Sequence, residues 1–448
     1  METLYQTSII IKSLRDYFKP YLDLLTKPSG SKMFLLLLAM ITMQFTTSIN
    51  HLFKWFLSGI SNTSLNAYYY LLSETTIPLN MFLQITVRLA LSLIPKELEG
   101  LPIFLIVDDT LQAKFGTHFE CYKNMFDHAK HNGKNFLKGH CFVALTIAVP
   151  VLASGNIRYL HVPLGYRLRK DESKLKIAAS MIDLAMEILA DSPMVILLCD
   201  SWYPKGEVIE TVMKYKNLEL IANVRVDTCI FNLPPKETGK RGRPALKGEQ
   251  LDIHTDFNFM CVGDYFIAVR TALTNLFEQN PVYITVTTPD TFKNSAYRVF
   301  LCTIQPDSLK QQFRGYEKKL SNSLNGQILW LLPLFLYSFR WNIEVMFYEH
   351  KKFWSFGLYR LRSKIGIENF VNCLSVSYAC MKILPFKNMR FSALAAESPQ
   401  TCKSLLGDAI RHEIYLWRFG MNSENAINFD SFFNFSTPSG LSSKKKPA

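Results

Sequence analysis

Tyr337, Arg340, Glu344 and Lys351 stand in the stretch LYSFRWNIEVMFYEHKK (336–352) at spacings that share one face of a helix. At about 100° per residue the four project within about 60° of one another, so an acid, two cations and a phenol form one stripe. Leu336, Phe339, Trp341, Ile343, Val345, Met346 and Phe347 surround it. Glu344 is therefore expected near a packed interior, where a charge needs a partner or a metal ion. The plain alternative is an i,i+4 ion pair with Arg340, contributing a few tenths of a kcal/mol when exposed. Two other carboxylates end apolar runs that read as buried strands, Asp108 after LPIFLIV and Asp200 after MVILLC. Each has its own structural alternative, Asp200 capping a helix that starts near Pro204 and Asp108 opening a turn. Three acids brought together from two strand ends and a helix can hold two divalent cations, Mg²⁺ or Mn²⁺, about 4 Å apart. Such a pair flanks a scissile phosphate, one ion activating water or a 3′-hydroxyl and the other stabilising the leaving oxygen.

The elements that must position these acids follow from the pattern of the chain. Residues 1–98 read as helical and end in the terminator IPKELEG. Within them SINHLFKWFL, SGIS and NTSLNAYYYLLSE outline a helix-turn-helix, capped by Asn62 or Thr63, in which Ser61, Asn62, Thr63, Ser64 and Asn66 open a recognition helix. A plain helical bundle accounts for the same pattern. Residues 99–226 hold three strands, a helix over about Asp171 to Leu189, the strand ending at Asp200, a helix from Lys205 to Tyr215 and the strand LELIANVRV. Residues 227–325 are a β-rich insertion containing LDIHTDFNFM, DYFIAVRTAL, PVYITVTT and AYRVFLCTI. Helices return over 326–385, and 386–448 form a C-terminal region ending in the basic, disordered tail STPSGLSSKKKPA. In the insertion, PPKETGKRGRPALKG carries Lys236, Lys240, Arg241, Arg243 and Lys247 and reads as an exposed loop, with minor-groove binding by RGRP as the sharper alternative.

Composition narrows the partners. A net charge of +13 with pI near 9.2 suits a polyanion, nucleic acid first and an acidic membrane surface second. The apolar run Met33 to Met43 is about half of what a bilayer needs, so a buried helix is expected there and no membrane association. The first residues, METLYQTSII, lack the pattern of a cleavable signal. Nine cysteines without a CxxC pair suggest neither a disulfide framework nor a structural zinc site, and a reducing cytoplasm is the default.

The spacing of Tyr337, Arg340, Glu344 and Lys351, with RWNIE at its centre, resembles the Y-x2-R-x3-E-x6-K signature of bacterial insertion-sequence transposases in the insertion-sequence-four group. Asp108 in IVDDT and Asp200 in LLCDSWY are similar to that family's two aspartates, and the resemblance covers roughly Leu101 to Phe370. It implies an α/β fold with a ribonuclease-H-like catalytic core, the β-rich insertion before the last acid, and an N-terminal helical domain that binds terminal-repeat DNA. It also implies a DDE transposase performing metal-dependent cut-and-paste transposition, that is, end cleavage and strand transfer. Asp108, Asp200 and Glu344 become the metal-binding catalytic triad, with two Mg²⁺ or Mn²⁺ ions. Tyr337, Arg340 and Lys351 become contacts to the DNA backbone. The implied partners are double-stranded DNA, both transposon ends and target, and a second copy of the chain in a synaptic homodimer in the bacterial cytoplasm, associated with the nucleoid when bound to DNA.

Several positions stay open at this level. Asp109 adjoins Asp108, and strand alternation lets only one reach the metals; the family's Asp-Asp/Glu-Thr context favours Asp108. Relatives cleave through a hairpin on the transposon end with a base flipped near the insertion, and Trp330 and Tyr316 are candidates to receive it, with a core role as the alternative for each. His118, His128, His131 and His140 are too irregularly spaced for a zinc site and read as part of a polar loop. The acids alone equally admit a ribonuclease-H-like nuclease that cuts without rejoining. A transposase-derived DNA-binding protein with a dead site is the non-enzymatic alternative.

Overall fold

The computed structural model describes residues 8–46, 48–116, 118–127, 135–153, 155–235, 245–290, 296–316 and 329–418. Runs rich in Val, Ile and Leu build the central strands β1 (Ile103–Ala113), β2 (Lys123–Phe126), β3 (Phe136–Ala153), β4 (Asn156–Leu168), β5 (Val195–Cys199) and β6 (Leu218–Val224). β3 runs antiparallel to both β1 and β4, whereas β1, β5 and β6 are mutually parallel. The order β4-β3-β1-β5-β6 is the ribonuclease-H-like α/β core that the resemblance implied. Every residue of β5 is buried, which is why this strand is uniformly apolar rather than alternating. The helices Lys174–Leu189 and Glu207–Lys214 supply the crossover connections that parallel strands require.

The β-rich insertion extends this sheet instead of forming a second one. β12 (Arg298–Cys302) pairs antiparallel with β6, and β11 (Val282–Thr288), β10 (Tyr265–Thr274), β7 (Ile230–Phe231) and β8 (Gln250–Leu251) continue outward, with β9 (Met260–Val262) along β10. LDIHTDFNFM, expected as a strand, is one only at its ends. In its middle Asp252 accepts from the His254 N–H at 2.8 Å and Asp256 from the Asp252 N–H at 2.8 Å, local bonds that draw the backbone into a turn. Most of the basic loop (Lys236, Lys240, Arg241, Arg243) and the C-terminal tail lie outside the described residues; Lys247 donates to Asn275 Oδ1 at 2.5 Å.

Helices Ile10–Leu22, Lys27–Thr42, Leu65–Ser73 and Leu79–Leu91 precede the sheet and share one continuous core with it and with the helices Lys364–Lys387 and Pro399–Arg418. Met33 through Thr42 are all buried, so the apolar run is a helix enclosed on every side, and among the described residues no helix is long and apolar enough to cross a membrane. Ile49–Leu52, a π turn over Phe53–Leu57 and Ser58–Ile60 lead through a short turn into Leu65–Ser73, the helix-turn-helix outline. Ser64, not Asn62 or Thr63, is its N-cap, because Ser61 Oγ accepts from the Thr63 N–H at 3.1 Å and holds those residues in the turn. Asn62, Ser64 and Asn66 are exposed. On its inner side the second helix is tied to the Lys364–Lys387 helix, Asn369 Nδ2 donating to Leu72 O at 2.8 Å.

The stretch 336–352 is not one uninterrupted helix. Leu332–Tyr337 gives way to a 3-10 turn, Ser338–Arg340, before the helix Trp341–Phe353. The tighter turn seats Phe339 among Phe104, Tyr159 and Phe335, with ring centroids 5.2, 5.3 and 5.9 Å away.

Candidate active site

β1 and β5 set the first two acids side by side. Their parallel register runs from Ile103 opposite Val195 to Val107 opposite Cys199, so Asp108 and Asp200 are the next residues on neighbouring strands, about 5 Å apart in the backbone. Asp108 is not at the end of β1 as expected. The strand continues to Ala113 by pairing with β3, and only its contact with β5 stops at Val107. Asp200 is not a helix cap either: Gly206 opens the Glu207–Lys214 helix, and Asp200 Oδ1 accepts from the Trp202 N–H at 3.0 Å inside the intervening turn.

Arg340 connects the strands to the last acid. Its Nη1 lies 2.8 Å from Asp108 Oδ2, and its guanidinium reaches Glu344 Oε1 at 3.4 Å. The i,i+4 pair with Glu344 is thus present but is the longer of two contacts. Glu344 is less enclosed than its apolar neighbours suggested: its side chain is 40% exposed, because Trp341, Val345 and Tyr348 on the same helix face outward. Lys351 Nζ donates to Leu111 O on β1 at 3.3 Å, and the Tyr337 ring packs against Phe300 at 5.0 Å with the Arg340 guanidinium carbon 6.0 Å from its centroid. Arg340 and Lys351 therefore meet the second half of β1 at Asp108 and Leu111, with Glu344 and Tyr337 beside Arg340, the 3-10 turn notwithstanding.

Asp109 points to the other side of the strand, where Lys174 Nζ reaches its Oδ1 at 2.7 Å, the Tyr203 hydroxyl donates to it at 3.0 Å and Cys141 Sγ lies 3.5 Å from Oδ2. That carboxylate is occupied by partners; Asp108 has a single cation. The sequence reading passed over Lys174, Trp202 and Tyr203, although SWY directly follows Asp200. Lys174 and Lys205 both lie over the Trp202 ring, at 4.5 and 3.8 Å from its centroid. Trp330 and Tyr316 are partly buried against the core, Trp330 O accepting from the Tyr283 hydroxyl at 3.1 Å. His140 departs from the polar-loop expectation. It sits buried in β3 between the Tyr359 hydroxyl at 2.5 Å and Glu120 O at 2.9 Å, and burial pushes its pKa down to about 4. His118 is exposed, and His128 and His131 lie outside the described residues.

The electrostatics of the gathered acids are strained. Burial, and then Asp200, raise the Asp108 carboxyl well above the usual range against the opposing pull of Arg340. Asp200 is raised as well, by burial and by Asp109, with the Trp202 N–H opposing. Burial disfavours the charge of Arg340, but Tyr337, Asp108, Glu344 and Asp200 outweigh it and raise its pKa. Burial lowers Lys351, with Glu344 and Asp127 opposing. Among the described residues no group of three or more His, Cys, Asp or Glu side chains is close enough to hold a metal ion as the side chains stand. Arg340 stands between two of the acids, in contact with both Asp108 and Glu344.

No curated protein matches the chain. The family model of the DDE superfamily endonucleases matches residues 20–258, more than half of the chain, and this span takes in Asp108 and Asp200 but ends before Glu344. With a ribonuclease-H-like sheet that sets two aspartates on adjacent parallel strands, and with that match, the chain belongs to the DDE superfamily endonucleases.

Proposed function

We propose that this DDE superfamily endonuclease is a cut-and-paste DNA transposase of the insertion-sequence-four group. In this reading Asp108, Asp200 and Glu344 hold two Mg²⁺ or Mn²⁺ ions, and Tyr337, Arg340 and Lys351 engage backbone phosphates at the element's end. The observation that carries it is the β1–β5 register, which makes Asp108 and Asp200 neighbours, together with the Arg340 fork that ties Asp108 to Glu344. The donor set suits hard divalent ions, since all its atoms are carboxylate oxygens, and the raised pKa values of Asp108 and Asp200 reflect buried negative charge short of counter-charge. When bound, the ions supply Lewis acidity at the scissile phosphate and activation of water or a 3′-hydroxyl.

The chain's own residues do the rest. The Trp202 N–H holds Asp200 in place, and Asp109, saturated by Lys174 and Tyr203, stays out of the chemistry. Arg340 exchanges the Asp108 carboxylate for a DNA phosphate as the site loads, two partners that its planar fork fits equally. Lys351, anchored on Leu111 O, and the Tyr337 hydroxyl add a point charge and a donor beside it. Synapsis of two ends calls for two copies of the chain, acting on nucleoid DNA in a bacterial cytoplasm. The exposed Asn62, Ser64 and Asn66 open the helix proposed to read the terminal repeat.

The test is to mix the purified chain, Mg²⁺ and a duplex carrying the element's end. Transposition yields cleaved ends and joined product, a nuclease cuts without joining, and a dead binder shifts the duplex uncut. The Glu344→Ala variant is expected to bind and not cleave; retained cleavage removes Glu344 from the chemistry.

A further inference from the structure

Far along β3 from the acids, the sheet carries an exposed aromatic pair that nothing in the proposed reaction uses. β2 pairs with the start of β3, Phe126 opposite Phe136 and Asn124 opposite Lys138. The two rings meet edge to face at 5.5 Å and are 50% and 56% exposed. Leu137, on the opposite face of β3, is buried, so the strand is anchored by its alternate residues and the phenyl face has no core to fill. Sheet margins are ordinarily blunted with charge, because apolar surface there invites association, so two phenyl rings at this margin call for a partner. Phe136 and Lys138 lie an even number of residues from Ala144, which pairs with Asp108, and alternation puts them on the Asp108 face of the sheet. From Ala144 back to Phe136 is eight residues, about 26 Å along β3. The segment after the Trp341–Phe353 helix covers part of this interval. Lys114 Nζ donates to Gly357 O and, at 2.8 Å, to Tyr359 O, and the Glu120 N–H donates to Arg362 O at 2.9 Å. Arg360 and Arg362 are exposed, as is Lys138, and none of the three has a carboxylate partner among the described residues.

We infer that Phe126 and Phe136 form a wedge that enters the minor groove of the bound duplex about eight base pairs from the scissile phosphate, with Lys138, Arg360 and Arg362 on the phosphates between. Double-stranded DNA advances about 3.4 Å per base pair, so 26 Å of strand matches about eight of them. Apolar side chains flanked by Lys and Asn are what minor-groove proteins insert between base steps, and Asn124 opposite Lys138 supplies that flank. A second copy of the chain would also cover apolar rings. However, a face with three unpaired cations on a chain of net charge +13 repels its own kind and attracts a polyanion. The wedge presupposes the proposed action on DNA ends and sets where the duplex is held beyond the cleavage point.

The experiment is hydroxyl-radical footprinting without Mg²⁺ on a duplex carrying the element's end, with 2-aminopurine placed in turn at successive steps away from the cleavage point. Wild type is expected to protect a patch about eight base pairs from that point, besides the point itself, and to brighten 2-aminopurine there as the step unstacks. The double variant Phe126→Ala/Phe136→Ala loses both signals and binds about tenfold more weakly, while protection at the cleavage point persists. Lys138→Gln leaves the rings in place, keeps the bright step and lowers the salt slope of binding by about 0.9. The wild-type and Lys138→Gln readings hold whether or not the double variant folds. No bright step with wild type, an unchanged footprint in the double variant, or an unchanged salt slope in Lys138→Gln overturns the inference and leaves the proposed function standing. Loss of self-association by the double variant in sedimentation, with its footprint intact, likewise overturns it and assigns the rings to a second copy. Failure of wild type to bind the duplex overturns the proposed function, and this inference with it.

Discussion

Two buried carboxylates in this molecule are treated in opposite ways. Glu413, on the Pro399–Arg418 helix, is 3% exposed and accepts from the Ile9, Ile10 and Ile11 N–H groups at 2.7, 2.7 and 2.9 Å. It caps the Ile10–Leu22 helix, whose own N-cap, Ile9, has no side chain able to do so. Asp108 is 7% exposed, yet the charged groups around it are Asp200, Asp109 and Glu344, opposed by Arg340 and by one backbone donor, the Asp109 N–H at 2.7 Å. Glu413 is buried because three donors need it. Asp108 is buried among groups that repel it, an arrangement that costs stability and so points to a use outside folding.

That contrast can be broken most decisively at the acids themselves. Asp108→Asn and Glu344→Gln are expected to lower DNA cleavage by about 10³-fold or more, while the denaturation midpoint of Asp108→Asn holds or rises, since a crowded charge is removed. Unfolding of Asp108→Asn would make its carboxylate structural, like that of Glu413. Glu413→Ala should do the converse. Stranding three helix N–H groups costs about 2–3 kcal/mol of stability in urea titration, with cleavage per folded molecule unchanged.

Arg340→Gln sharpens the comparison from the cation side. Withdrawing the one positive group between Asp108 and Glu344 should tighten Mn²⁺ binding, measured by calorimetry without DNA, by roughly tenfold, and weaken binding of the DNA end. Looser Mn²⁺ binding would mean that the guanidinium organises the acids instead of screening them. The last effect is spread over several pH units and concerns Lys403, buried over the Trp354 ring at 4.3 Å with Phe353 O at 3.1 Å, where burial lowers the ammonium to about 7. Its folded pKa lies below the unfolded one, so between about pH 7 and 10 the unfolded chain binds the extra proton and folding is favoured as pH rises. Wild type should therefore gain on Lys403→Met across that window, by at most about 1.4 kcal/mol per pH unit. Parallel stability profiles would show that Lys403 does not titrate there.

Much of the candidate site's arrangement was legible because its signals are local. The spacing of Tyr337, Arg340, Glu344 and Lys351 survives a change of helix type at Ser338–Arg340, since a 3-10 turn alters the angular position of only a few residues. Asp108 and Asp200 announced themselves as the first charges after apolar runs. What escaped were relations between distant segments. That Glu344 is 40% exposed depends on which neighbours turn outward, and that Arg340 prefers Asp108 to Glu344 depends on how its helix settles on β1. Lys174, close to the acids only through its pairing with Asp109, carried no signal in its own surroundings.

By itself the sequence determined the strand and helix periodicities, the buried Met33–Thr42 helix and the acids that interrupt apolar runs, because each follows from the side chains of a few consecutive residues. Only the tertiary structure decided that Val107 pairs with Cys199, and hence that Asp108 adjoins Asp200. It alone decided, too, that the insertion joins the same sheet through β12 on β6, and that one arginine stands between two acids. Strand register and side-chain pairing across hundreds of residues are settled by packing the whole core at once, and no single stretch of chain contains that information.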